Sequence, residues 1–139
     1  MFKHILVPMD LTDRGMNALA IAVKMALHDA SRITLLHVIE MIQDSESEEF
    51  EGFYKKLERR AVKAMDKMLG LYQYEQLQLE KKIVYGRRVG EILRFADAEG
   101  VDLIVLSSHR IEPENPVQGW GTISYKVGIL AHCPVMLVK

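Results

Sequence analysis

Short continuous apolar runs alternate along this chain with longer stretches in which apolar residues recur every three or four positions. Runs of the first kind suit strands covered on both faces, and stripes of the second kind suit helices with one buried side. His4 to Val7 opens the series as a first strand, halted at Pro8, which lacks the N–H that would continue a ladder. Leu19, Ala22, Val23, Ala26 and Leu27 mark a first helix, with Asp13 placed to cap its start. Ile33 to Ile39 is a second strand, and its lack of alternation fits a parallel sheet. The acidic, serine-containing stretch Gln43 to Glu49 predicts a loop leading into a helix, where carboxylates favour the positive end. From Phe50 a long second helix carries its stripe through Phe53, Tyr54, Leu57, Ala61, Ala64, Met65, Met68 and Leu71.

Leu77 to Tyr85 comes closer to a period of two, and Glu80, Lys81 and Lys82 charge its open side, as suits an edge strand. Val89, Ile92, Leu93 and Ala96 predict a third helix that Gly100 ends in the left-handed conformation. Leu103 to Leu106 follows as a fourth strand, and a polar loop runs from Ser107 to Trp120. Ile123, Val127, Leu130 and Ala131 form a fourth helical stripe, ended by Pro134, and Val135 to Val138 is a fifth strand. Strands and helices in this alternation predict an α/β fold: one doubly wound, five-stranded parallel sheet with right-handed crossovers and helices on both faces. Neither an internal repeat nor a composition break divides residues 1–139, so one domain is expected. In such sheets a ligand crevice lies beyond the carboxyl ends of the strands, where the winding direction reverses.

Composition narrows the partners. A formal net charge of -1 with 27% charged residues gives no basic excess for tracking nucleic acid. The single cysteine, Cys133, forbids an internal disulfide and leaves a thiolate zinc site short of ligands, which fits a reducing, cytoplasmic home. No apolar run approaches the roughly 20 residues that span a bilayer, and the start of the chain lacks a secretory h-region. No membrane association is expected.

Three segments carry a family resemblance: Ile5-Leu6-Val7-Pro8-Met9-Asp10, Leu35-Leu36-His37-Val38, and the end from Val101-Asp102-Leu103-Ile104-Val105 through Gly121-Thr122 to Cys133-Pro134-Val135-Met136-Leu137-Val138. In order and spacing, over essentially the whole chain, they resemble the universal stress protein family. The resemblance implies strand order 3-2-1-4-5, a switch point between the first and fourth strands, and a crevice lined by Pro8, Met9, Asp10 and by Ser107 to Arg110. It also implies ATP or AMP as ligand, with Mg2+ only as ATP carries it, and a homodimer through Val135, Met136, Leu137 and Val138. Many members bind ATP through Gly, two residues, Gly, nine residues, then Gly followed by Ser or Thr. Here Ser107-Ser108-His109-Arg110 stands at the start of that pattern, ten residues follow, and Gly121-Thr122 closes it. Both early glycines are replaced, and Arg110 reaches positive φ only at a cost glycine does not meet.

The candidates carry competing readings. Gly121, Thr122, Ile123 and Ser124 begin a helix whose N–H groups and hydroxyls suit a phosphate, or they cap the helix and no more. Asp10 is implied to contact adenine or ribose, or it braces its loop or caps the first helix. Val38 meets adenine through its backbone if the resemblance holds, and is core otherwise; His37 reads as a satisfied strand histidine. Arg110 pairs with phosphate, fills the triphosphate's place, or pairs with Glu112 or Glu114. His109 and His132 lack partners at metal-ligand spacing, and Cys133 reads as a packed thiol without a base. Met25, Met65 and Met68 read as core.

The expected function is adenine-nucleotide binding or sensing in a stress response, with at most slow ATP hydrolysis. No Gly-x-Ser-x-Gly elbow surrounds Ser107 or Ser108, and no P-loop occurs. The alternative is a dimeric interaction module of the same fold that binds no nucleotide. A phosphoacceptor domain would want aspartate where Tyr85-Gly86 ends the third strand, and flavin loops are not evident.

Overall fold

The computed structural model describes residues 1–41, 48–109, 113–114 and 122–139. The elements run β1 (His4–Pro8), α1 (Asp13–Asp29), β2 (Arg32–Ile39), α2 (Glu48–Gly70), β3 (Gln78–Tyr85), α3 (Arg88–Ala98), β4 (Leu103–Ser107), α4 (Ile123–Leu130) and β5 (Val135–Val138). All strand pairs are parallel, in the order β3-β2-β1-β4-β5. The expected topology is therefore the observed one, with β3 at an edge as its charged alternation predicted.

Strand parity sorts the core into two layers, because successive side chains leave a strand on opposite faces. Ile5, Val7, Ile33, Leu35, Leu103 and Val105 pack against α1 and against Met65 and Met68 of α2. Leu6, Leu36, Val38, Ile104 and Leu106 pack against Ile92 and Ala96 of α3 and Val127 of α4. Met25 packs at the margin of the first layer, so the three methionines are core as expected.

Several local expectations need correcting. Thr12, not Asp13, occupies the N-cap of α1, and its hydroxyl bonds Asp10 instead of the helix. Leu27 and Leu130 are largely exposed although they fit the stripes, because each lies in the last turn of its helix, where the stripe outruns the sheet. Leu71 lies past the end of α2 and is 59% exposed. Gly100 has φ 66° and closes α3 as predicted. Most of the stretch Gln43 to Glu49 lies outside the described residues, as do Arg110, Gly121 and most of the loop between them.

The sheet opens at one place. Strand β1 stays in register with β2 from His4 to Pro8, but with β4 only at Ile5↔Leu103 and Leu6↔Ile104. In a parallel strand alternate residues bond alternate neighbours. The Met9 N–H donates to the Leu36 carbonyl of β2, so position 8 faces β4, and there proline has no N–H to give. The two strands therefore part at their carboxyl ends.

Candidate functional site

The gap between β1 and β4 widens into an open crevice, built from the ends of three strands and the first turns of three helices. Its described lining includes Pro8, Met9 and Asp10 after β1, Val38 of β2, Ser107, Ser108 and His109 at the end of β4, and Thr122, Ile123 and Ser124 at the start of α4. Every described residue of the expected site is thus brought to one cleft. The chain leaves β1 for one face of the sheet and β4 for the other, which is what makes this the switch point.

On the β1 side the backbone is held tightly. Leu11, with φ 68°, takes the left-handed conformation that a branched side chain adopts only when its surroundings impose it. What imposes it here is visible: Asp10 Oδ1 accepts from the Thr12 N–H at 2.9 Å and from Thr12 Oγ1 at 2.6 Å, closing an Asx-type turn. Partial burial pushes the Asp10 carboxyl up, but the Thr12 hydroxyl, the Thr12 and Asp10 N–H groups and the charge of Arg88 outweigh it and hold the group below its ordinary value. Asp10 therefore does brace its loop, while still lining the cleft. Met9 turns inward and is buried, and Gly15 makes room for it: a Cβ there would stand 2.7 Å from Met9 Sδ. His37 Nδ1 donates to the Met9 carbonyl at 2.8 Å, the satisfied strand histidine expected.

On the β4 side the groups are hydroxyls. Ser108 Oγ and Ser124 Oγ are 2.9 Å apart, and Thr122 Oγ1 lies 3.4 Å from Ser124 Oγ. Thr122 is the N-cap of α4 by backbone conformation, without a side-chain cap bond to the helix. Behind them Tyr125 donates to the His109 carbonyl at 2.7 Å and accepts from Lys139 Nζ, which also lies over the tyrosine ring. Lys139, with help from Ser108, draws the Tyr125 phenol below its ordinary value. This strap ties the turn after β4 to α4 and to the end of β5.

The cleft can accept a ligand with an apolar ring against Val38, Leu36 and Ile92 and polar groups toward the hydroxyls. Among the described residues the cleft serines Ser108 and Ser124 are hydrogen-bonded to one another, to Thr122 and to the His109 carbonyl. Among the described residues no group of His, Cys, Asp and Glu could hold a metal ion. His132 pairs with Asp97 at 3.3 Å. Cys133 is half-buried, and burial, with Asp102 and Asp97 nearby, raises its thiol above its ordinary value, which suits a packed thiol.

Sequence reasoning missed Arg14 and Arg88, both of which line the cleft. Neither belongs to an apolar stripe, so helical periodicity does not single them out. The usable signal was position: each falls in the first turn of a helix leaving the carboxyl edge of the sheet.

The sequence model of the Universal stress protein family matches residues 1–139. The chain belongs to the universal stress protein family. A universal stress protein of Thermus aquaticus is 32% identical over 143 residues, and YxiE of Bacillus subtilis is 28% identical over 149, each covering all of both chains. Among solved structures, the universal stress protein UspA from Lactobacillus plantarum superposes with a TM-score of 0.77 at 25% identity, over 99% of this chain and 97% of its own. Two further universal stress proteins share the fold: one in complex with cAMP at 16% identity, TM-score 0.71, over 99% of this chain and 97% of its own, and one from Archaeoglobus fulgidus in complex with dAMP at 19%, TM-score 0.65, over 99% and 98%. No helix among the described residues is long and apolar enough to cross a membrane.

Proposed function

We propose that this universal stress protein binds an adenine nucleotide, AMP or ATP, in the crevice between β1 and β4, and senses it rather than turning it over efficiently. The observation that carries the reading is convergence: Asp10, Val38, the turn Ser107 to His109 and the helix start Thr122 to Ser124 come from separate parts of the chain and line one cleft. A carboxylate at one end suits a ribose or adenine amino group. Hydroxyls beside a helix start at the other suit phosphate. The proteins solved with cAMP and dAMP lend the fold, and the argument for this chain rests on its own residues. Turnover should stay below about one per second, because among the described residues no base is hydrogen-bonded to the cleft serines. Mg2+ enters only with ATP.

The assembly that goes with this reading is a cytoplasmic homodimer joined through Val135 to Val138. Strand β5 is a sheet edge with half a ladder unused, and Met136 is an exposed apolar side chain on it. Val135 and Leu137 pack inward, so Met136→Glu is a cleaner disruption than a change at either neighbour. The second reading, an interaction module that binds no nucleotide, draws on Ser107 standing where the ATP-binding pattern has glycine, and on Ile129 and Leu130, exposed apolar residues of α4. Native mass spectrometry of freshly purified protein decides between them. A dimer mass carrying a nucleotide supports the first reading, and a dimer free of nucleotide that also ignores added AMP and ATP in calorimetry supports the second. A monomer at micromolar concentration removes the assembly.

A further inference from the structure

We infer that Arg14 and Arg88 form an anion-recognition pair in the crevice, reading a phosphate of the bound ligand through their guanidinium groups. The inference rests on the nucleotide reading for the rest of the ligand, but its charge argument stands on other residues. Arg14 is in the first turn of α1 and Arg88 opens α3, so the two reach the same cleft from opposite faces of the sheet. Asp10 is the only carboxylate among the described lining residues, which leaves two guanidiniums against one negative charge. Among the described lining residues the charge balance is positive, in a chain whose formal net charge is -1.

The charge of Arg88 reaches Asp10 and helps hold that carboxyl low, but among the described residues no carboxylate accepts a hydrogen bond from either guanidinium. Asp10 Oδ1 is taken by Thr12, through both its N–H and its hydroxyl. Glu40 Oε1 accepts from the Arg88 backbone N–H at 3.4 Å and approaches the guanidinium at Nε, at 3.9 Å, with both side chains about half exposed. An ion pair of that kind contributes little. The described groups on the opposite wall, Ser107, Ser108, Thr122 and Ser124, are neutral hydroxyls that can donate to an anion but bring no charge to it. Planar guanidinium forks match phosphate oxygens in geometry as well as sign. The ligand class assigned is therefore a nucleoside phosphate, distinguished from the nucleoside by side-chain charge.

Calorimetric titration of the full chain, wild type, Arg14→Gln, Arg88→Gln and the double variant, with ADP, adenosine and pyrophosphate tests this. Both side chains are exposed, so thermal unfolding should be unchanged and serves as the folding control. The expected result is ADP preferred over adenosine by wild type, about tenfold loss of ADP affinity per substitution, adenosine affinity unchanged, and a salt dependence that disappears in the double variant. An ADP preference surviving the double substitution overturns the arginine pair and leaves the nucleotide reading intact, whereas equal binding of ADP and adenosine by wild type overturns the pair and cuts the nucleotide reading back to a nucleoside site. Pyrophosphate binding that the double substitution removes, with no added affinity from adenosine in ADP, upholds the pair and removes the adenine reading. Failure of wild type to bind any of the three overturns both.

Discussion

The two ends of the sheet are both polar, and they are polar in different ways. At the amino end, Arg32 Nη2 donates to His4 Nδ1 at 2.9 Å, His4 Nε2 donates to Thr34 Oγ1 at 2.8 Å, and Thr34 Oγ1 donates to Glu80 Oε1 at 2.8 Å. The direction follows from arginine having no acceptor, which makes Nδ1 the accepting nitrogen and leaves the Glu99 carbonyl, 3.2 Å from it, without the ring's proton. Beside this chain Asp102 accepts from the Lys3 and His4 N–H groups and ties β1 to β4. At the carboxyl end the same two strands separate, and hydroxyls and guanidiniums line an open cleft. Polarity alone does not mark a functional site. Polar groups that answer one another close a structure, and polar groups gathered around a space leave it able to answer a ligand.

The largest effect should come from breaking the closed end. His4 is 4% exposed and takes part in two side-chain hydrogen bonds, so His4→Ala takes the acceptor from Arg32 Nη2 and the donor from Thr34 Oγ1 and opens a cavity against Phe95. We expect a loss of about 2–3 kcal/mol in denaturant unfolding, with nucleotide affinity of the folded fraction unchanged. A change in affinity as large as the change in stability would show that the two ends are not independent.

Next comes a change that reaches the open end from behind. Gly15→Ala places a Cβ against the Met9 thioether, whose flexible tip must then move, and the cleft that Met9 lines is the open side available to it. Stability should fall by about 1 kcal/mol, less than a rigid clash would cost, while nucleotide affinity drops with it. Loss of stability with affinity intact would mean that Met9 yields in some direction other than the cleft.

How much of this contrast the sequence carried depends on which physical signal each part rests on. The layers were legible because the apolar runs at β1, β2 and β4 fill both faces, and the edge position of β3 because Glu80, Lys81 and Lys82 interrupt it. The order of the strands came through resemblance, since nothing local in Ile33 to Ile39 says that it lies between β1 and β3. The cleft residues from Pro8 to Asp10 and from Thr122 to Ser124 were found the same way. Thr12 was not, because an Asx turn at Asp10 competes with the helix cap for the same hydroxyl and periodicity cannot arbitrate. Arg14 and Arg88 escaped because an arginine on the polar face of a helix is the commonest of observations until the sheet shows which helix ends meet. The His4–Thr34–Glu80 chain escaped for a related reason: it crosses three strands, and its residues become neighbours only once register is set.

A smaller effect is expected from Thr122→Ala. Its hydroxyl stands beside Ser124 at the start of α4 and makes no cap bond to that helix. On the nucleotide reading, removing it costs about 0.5–1.5 kcal/mol of binding, the net worth of one hydrogen bond, with unfolding little changed. Equal losses in binding and stability would instead assign Thr122 to the fold, moving it to the closed side of the comparison.

The smallest effect is a pH dependence, and it again separates the ends. Asp29, at the closed end, accepts from His28 Nδ1 at 2.7 Å and lies 3.1 Å from the Met1 amino group and 3.4 Å from the Phe2 N–H. Chiefly His28, then the amino group, draw its carboxyl down to about 2 from the ordinary 3.8, against a smaller opposing push from burial. A carboxyl with a lower value folded than unfolded binds fewer protons in the fold, so its contribution is complete above the unfolded value and lost as pH falls through the folded one. Thermal midpoints of wild type and Asp29→Asn should therefore differ at about pH 5, converge between about 4 and 2, and coincide below that. A gap that persists at the acid limit would assign the effect of the substitution to packing. Asp10 is also held low, but by a turn that lines the cleft. Adding nucleotide should leave the Asp29 difference where it is and shift the acid response of wild type relative to Asp10→Asn, since only Asp10 changes its surroundings when the cleft fills.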